Sequence, residues 1–198
     1  MILESGKYYH LYNRSNNREI VFKEEENHEY FLAKYQKLIS PYAGTIAYCL
    51  MPTHFHFCIK VTTDDMDRLR DNIGILLSSY TKGINKRFDR HGSLFQKHTK
   101  AIWIEDESYL ITVCRYIHLN PLRAKLVMSP VDWQFSSYGD YAGIRKSMPL
   151  SKGLLINESI QSSEQLHAVG ADRHSPEIRY WLYDRTIMAH QKQEQLPA

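Results

Sequence analysis

The stretch Tyr48-Cys-Leu-Met-Pro-Thr-His-Phe-His-Phe-Cys-Ile-Lys60 constrains the fold more than any other part of the chain. His54 and His56 alternate with Phe55 and Phe57, which fits a β-strand: residues two apart share a face and neighbours point to opposite faces. Ala43 to Met51 reads as a preceding strand. Met51-Pro52-Thr53 is the tight connection, with proline at a turn where it costs no ladder bond. Phe55 and Phe57 then point into one layer and both histidines into the other. Two neutral imidazoles presented together are half of a metal site. The plainer reading is two polar positions on the wet face of an edge strand.

The rest of the chain supplies neighbours for this hairpin. Lys7 to Arg14 is a tyrosine-rich strand, followed by a polar turn at 13–17. Glu24 to Ile39 has Tyr30, Phe31, Lys34, Tyr35 and Leu38 at helical spacing, and Glu24, Glu25 and Glu26 suit the dipole of its first turn. Asp64 to Arg87 is a second helix, capped by Asp65 or a neighbour, with Leu69, Ile73, Leu76, Leu77, Tyr80 and Ile84 as its apolar stripe. Leu94 to Ile104 reads as a fourth strand and the segment from Asp106 as a third helix. The order β-α-β-β-α-β-α predicts an α+β fold: an antiparallel sheet with helices on it, of the split βαβ or ferredoxin-like kind. Trp133, Phe135 and Tyr138 belong to a loop expected to pack back on the domain. The composition divides the chain into a domain at 1–144 and a C-terminal helical extension or tail at 145–198, with short helices at 151–169 and 175–190.

No apolar run approaches a membrane span, and the N-terminus lacks the basic start and apolar stretch of a secretion signal. Three scattered cysteines, Cys49, Cys58 and Cys114, suit buried thiols in a reducing cytoplasm better than disulfides. Net charge is only +3, but it is unevenly placed. Residues 68–125 hold eleven Lys/Arg against five Asp/Glu, leaving fourteen against seventeen elsewhere. A basic middle segment is the pattern of a nucleic-acid face, and equally that of a solvated helix face.

Within the third helix, Leu110, Val113, Cys114 and Ile117 form the apolar stripe. Tyr116 falls at the border of core and solvent, and Asn120 shares that border one turn on. Asn120 precedes Pro121, which disfavours helical conformation at 120, so the helix is expected to kink or stop there. Asn120 then has two competing roles: an inward-pointing amide oxygen, or the N-cap of a new helical segment running from Pro121 to Val127.

Taken in order, the tyrosine-rich strand ending in Asn13-Arg14, then AYCLMPTHFHF, GSLFQKHTKAI and RYIHLNPLRAKLV resemble the single-tyrosine transposases of the HUH nuclease superfamily, the REP-associated tyrosine transposases above all. The resemblance covers about residues 7–140. It implies the HUH nuclease fold, with His54 and His56 as ligands of a divalent metal (Mg²⁺ or Mn²⁺) and Tyr116 as nucleophile. It places Asn120 where a polar residue completes the metal site. Two imidazoles and an amide oxygen sit more naturally with Mn²⁺ or Zn²⁺ than with Mg²⁺, and of the implied pair Mn²⁺ is expected to bind more tightly. The implied substrate is single-stranded DNA near a hairpin, cut through a 5′-phosphotyrosyl intermediate. Relatives act as monomers with their own tyrosine, or as homodimers that exchange the tyrosine helix.

Candidate DNA contacts are Arg14, Lys86, Arg87, Lys97, Lys100 and Arg123, at strand ends or in the basic segment. Relatives often carry an arginine after the glutamine, where this chain has Lys97-His98. His98 and His118 read as surface histidines or as proton shuttles. The competing function is a DNA or RNA hairpin-binding module that does not cut.

Overall fold

The computed structural model describes residues 1–146 and 148–151. The helices expected at 151–169 and 175–190, and most of the expected C-terminal extension, lie outside the described residues. In chain order the elements are β1 (Tyr8–Arg14), α1 (Glu25–Leu38), β2 (Ala43–Met51), β3 (His54–Val61), α2 (Met66–Arg87), β4 (Lys100–Ile104), α3 (Glu107–Arg123) and a single turn, α4 (Tyr138–Tyr141). The strands form one sheet in the order β2-β3-β1-β4, every neighbouring pair antiparallel. This is the expected α+β, split βαβ architecture.

Side chains fix where the helices begin. Asp65 accepts a hydrogen bond from the Arg68 amide at 2.9 Å, and Asp106 accepts one from Tyr109 at 2.8 Å. Each satisfies a first-turn N–H that has no partner inside its helix. At α1 the job is shared, because Glu24 and Asn27 cap one another's backbone amides.

Strand register sorts the sheet into two faces. Leu11 and Tyr48 lie across from Phe57, and Leu50 lies across from Phe55, so these side chains share the face covered by α1 and α2. Tyr35 stacks on Phe57 with ring centroids 3.9 Å apart, and its hydroxyl meets Thr45 Oγ1 at 2.9 Å. Phe31 sits 5.2 Å from Phe55 and 5.1 Å from Tyr80, whose hydroxyl donates to the Val21 carbonyl. Each such aromatic pair contributes about 0.5–1.5 kcal/mol beyond the area it buries. On the opposite face β1 places His10, Tyr12 and Arg14, β3 places His54, His56 and Cys58, and β2 places Ala47, Cys49 and Met51. Helix α3 packs there, mainly over β2 and β3. All three cysteines are free and buried, and burial pushes the Cys49 and Cys58 thiols up, so neither is a ready nucleophile at neutral pH.

The structure corrects three expectations. The fourth strand starts at Lys100 rather than Leu94. Between the Ser15–Phe95 bridge and the Tyr12–Lys100 pair, two residues of β1 (13 and 14) face four (96–99), so the longer side bows outward. The Asn13 amide fills the gap, donating to the Gln96 carbonyl at 3.1 Å and to Thr99 Oγ1 at 3.0 Å. Helix α3 neither stops at Asn120 nor starts anew at Pro121 but runs through to Arg123. The proline lies in the last turn, where its missing N–H costs a single helical bond. Finally, the loop holding Trp133 and Phe135 does more than pack back. It runs along the open edge of β2, with Leu50 N–H donating to the Phe135 carbonyl at 2.9 Å and Ser137 N–H to the Tyr48 carbonyl at 3.0 Å. An otherwise bare sheet edge is thereby covered.

Candidate active site

Register brings the site together. Tyr12 is the cross-strand partner of His56, and Arg14 that of His54, so β1 and β3 aim all four side chains at the layer of α3. From that helix Tyr116 reaches down, its ring edge-on to His56 at 5.4 Å and to His10 at 5.9 Å. His54 and His56 lie 5.0 Å apart, ring to ring, nearly perpendicular. Residues sixty positions apart in sequence thus share one cluster. Tyr116 is not at the solvent border, as the helical wheel suggested, but 8 % exposed. The wheel treats α3 as a lone cylinder, whereas the His10 and His56 rings and the Arg123 guanidinium pack around this tyrosine.

The electrostatics keep the imidazoles neutral. Burial first, and then the neighbouring His54, His10 and Arg14, hold His56 well below the usual histidine range. Burial alone pulls His10 down to about 3. Neutral imidazole is the form that binds cations. His56 Nε2 is buried and has no hydrogen-bond partner among the described residues, an orphaned nitrogen at a place where a metal would bind. His54 Nδ1 is 3.0 Å from Thr53 Oγ1.

Asn120 donates from Nδ2 to the Tyr116 carbonyl at 2.9 Å. This bond assigns the amide: the oxygen, Oδ1, is the atom left to accept or coordinate. Among the described residues no group of three or more His, Cys, Asp or Glu side chains is placed to hold a metal ion. The imidazoles of His54 and His56 lie together at this place, and nitrogen donors suit Mn²⁺ or Zn²⁺ better than Mg²⁺.

The basic candidates divide. Arg14 and Lys100 lie on the face of the histidines, and exposed Lys97 rides the outward bow, whose Gln96 N–H donates to the Arg14 carbonyl. Arg123 holds its guanidinium 5.8 Å over the Tyr116 ring, a cation–π approach from two turns along α3. Lys86 and Arg87 end α2 in the other layer, and Arg87 is ion-paired with Glu24. His98 is exposed as expected. His118 is not: it is buried, with Nε2 2.8 Å from Ser137 Oγ and its ring beside Tyr138 and Tyr141, so it ties α3 to the segment on the β2 edge.

Sequence reasoning passed over His10. Its Nε2 lies 3.0 Å from His56 Nδ1, and it packs against Tyr12 at 4.9 Å. The signal was present in the alternation His10, Tyr12, Arg14, which puts all three on one face of β1. Only the β1–β3 register says which face that is.

Comparison with known proteins follows the same lines. Residues 4–120 match the family described as Transposase IS200 like. A Haemophilus influenzae protein named, provisionally, a REP-associated tyrosine transposase is 27 % identical over 103 residues, covering 48 % of this chain and 58 % of that protein. The chain thus spans somewhat over half the length of that curated relative. Among solved structures, a REP-associated tyrosine transposase bound to a REP hairpin aligns with a TM-score of 0.58 at 14 % identity, over 75 % of this chain and 93 % of the other. At that identity the likeness is one of fold.

Proposed function

This chain belongs to the IS200-like transposase family, and on that premise we propose that it cuts and rejoins single-stranded DNA at or near hairpins with Tyr116 as nucleophile. The observation that carries the reading is Tyr116 edge-on to His56 at 5.4 Å, within one chain. His54 and His56, with Asn120 Oδ1, would hold a divalent cation, Mn²⁺ or Mg²⁺. Bound there, it would offset charge on the non-bridging phosphate oxygens and favour the phenolate.

The remaining work falls to the protein's own residues. Tyr116 Oη attacks phosphorus, the bond to the 3′ oxygen breaks, and the phenolic proton leaves while the departing oxygen gains one. The products are a 5′-phosphotyrosyl protein and a free 3′ hydroxyl, which reverses the step to rejoin DNA without ATP. Arg14, Lys97 and Lys100 suit phosphate gripping on this face, with Arg123 beside the tyrosine; Lys86 and Arg87 would meet only DNA that also reaches the α2 layer. The tyrosine serves its own histidines in this arrangement, which supports a monomer as the working unit. A cytoplasmic setting agrees with three buried free thiols.

The test uses labelled single-stranded DNA carrying a hairpin, incubated with the protein and Mn²⁺ and run on a denaturing gel. A covalent adduct is expected with the wild type and none with Tyr116→Phe, whose DNA affinity stays within a few-fold. An adduct that persists in Tyr116→Phe assigns the nucleophile elsewhere. Salt-sensitive binding without an adduct in Mn²⁺, or in Mg²⁺ put in its place, makes the chain a hairpin-binding module instead.

A further inference from the structure

The hydrogen bond between His10 and His56 has no part in the chemistry above, yet it decides what His56 can do. His10 Nε2 and His56 Nδ1 are 3.0 Å apart and both side chains are buried. Between two neutral imidazoles one nitrogen donates and the other accepts. Were His10 the donor, His56 would carry its own proton on Nε2, a buried N–H with no acceptor among the described residues. With His56 donating from Nδ1, Nε2 presents a lone pair instead.

We infer that His10 is a positioning residue: it accepts the Nδ1–H of His56 and so holds that ring in the tautomer whose Nε2 can bind a divalent cation. The inference rests on the reading of His56 as a cation ligand and assigns β1 a part in the site. The two histidines are then oriented by different elements. His56 is set from the neighbouring strand, and His54 by Thr53 of its own turn at 3.0 Å. Outer partners of this sort fix ring orientation and raise ligand basicity, and their loss typically weakens metal binding by about 10–100-fold.

Two measurements test it. In metal-free protein labelled with ¹⁵N-histidine, long-range ¹H–¹⁵N correlation should find His56 protonated on Nδ1 and bare on Nε2. Mn²⁺ titration by calorimetry or electron paramagnetic resonance should then show about 10–100-fold weaker binding in His10→Phe. His10→Gln, which restores an acceptor oxygen near the lost nitrogen, should recover most of that loss, a rescue that mere space-filling would not give. The metal-free melting temperature of each variant checks the fold; if His10→Phe does not fold, the wild-type tautomer decides. A His56 protonated on Nε2, or a folded His10→Phe that binds Mn²⁺ like wild type, overturns the inference. Wild-type protein that binds no Mn²⁺ overturns the cation reading beneath it, and the two failures are told apart because the tautomer is read without metal.

Discussion

Strand β3 shows two kinds of surface back to back. On one side Phe55 and Phe57 are sealed under α1 and α2, where the Tyr35 hydroxyl meets Thr45 and the Tyr80 hydroxyl donates to the Val21 carbonyl. On the other side, one residue along, His56 keeps a buried nitrogen without a partner beneath Tyr116. Leaving a buried polar atom unsatisfied costs about 1–3 kcal/mol. A fold tolerates that where another layer supplies the stability. Functional sites are where such local costs are expected.

That contrast can be broken by moving from one side of the strand to the other. His56→Ala should reduce cleavage on the order of 10⁴-fold, since a cation supplies several kcal/mol of charge stabilisation, while thermal stability stays level or rises. A large fall in melting temperature would show that the histidine side also holds the fold together. Phe57→Ala should do the reverse and cost about 3–5 kcal/mol in a urea titration, because it empties the centre of the aromatic layer.

The pH dependence of the dry layer sharpens the comparison. His28 is sandwiched between Phe22 and Phe135, and burial lowers it to about 4 although Nδ1 meets the Glu24 carbonyl at 3.0 Å. The unfolded chain takes up its proton near pH 6.5, the folded chain only near 4. Stability should therefore fall as pH drops between those values, by at most about 3 kcal/mol from this residue. His28→Phe should flatten that part of the curve; an unchanged slope would place the titration elsewhere. The smallest effect belongs to a helix start: Asp106→Ala should cost about 1 kcal/mol and leave Mn²⁺ affinity as it was, if α3 is held over the histidines by its packing rather than by its cap.

Much of this was legible in the chain because it is local. Alternation in His54-Phe-His-Phe57 fixed the two layers, Asp65 and Asp106 announced their helices, and the Pro52 turn joined the strands they were expected to join. What escaped depends on contacts between distant segments. His10 matters through a diagonal contact with β3 that no periodicity in β1 specifies. The bow at 96–99 is tied back by a side chain of β1, Asn13. The stop expected at Asn120 followed from a sound local preference, yet the helix is so near its end that little is lost by continuing to Arg123. His118 looked like a surface residue because the segment that covers it arrives some twenty positions later, at Ser137 and Tyr138.

The register of β1 against β3 has one more consequence. A slip of a single position would turn Leu11 and Tyr9 outward and drive Tyr12, His10 and Arg14 into the aromatic layer. Such a chain would lose its core before it could misplace its histidines. The greasy side of the sheet thus works as an alignment gauge for chemistry it never touches: a molecule that has folded has, by that fact, already set His10 and His56 within reach of each other.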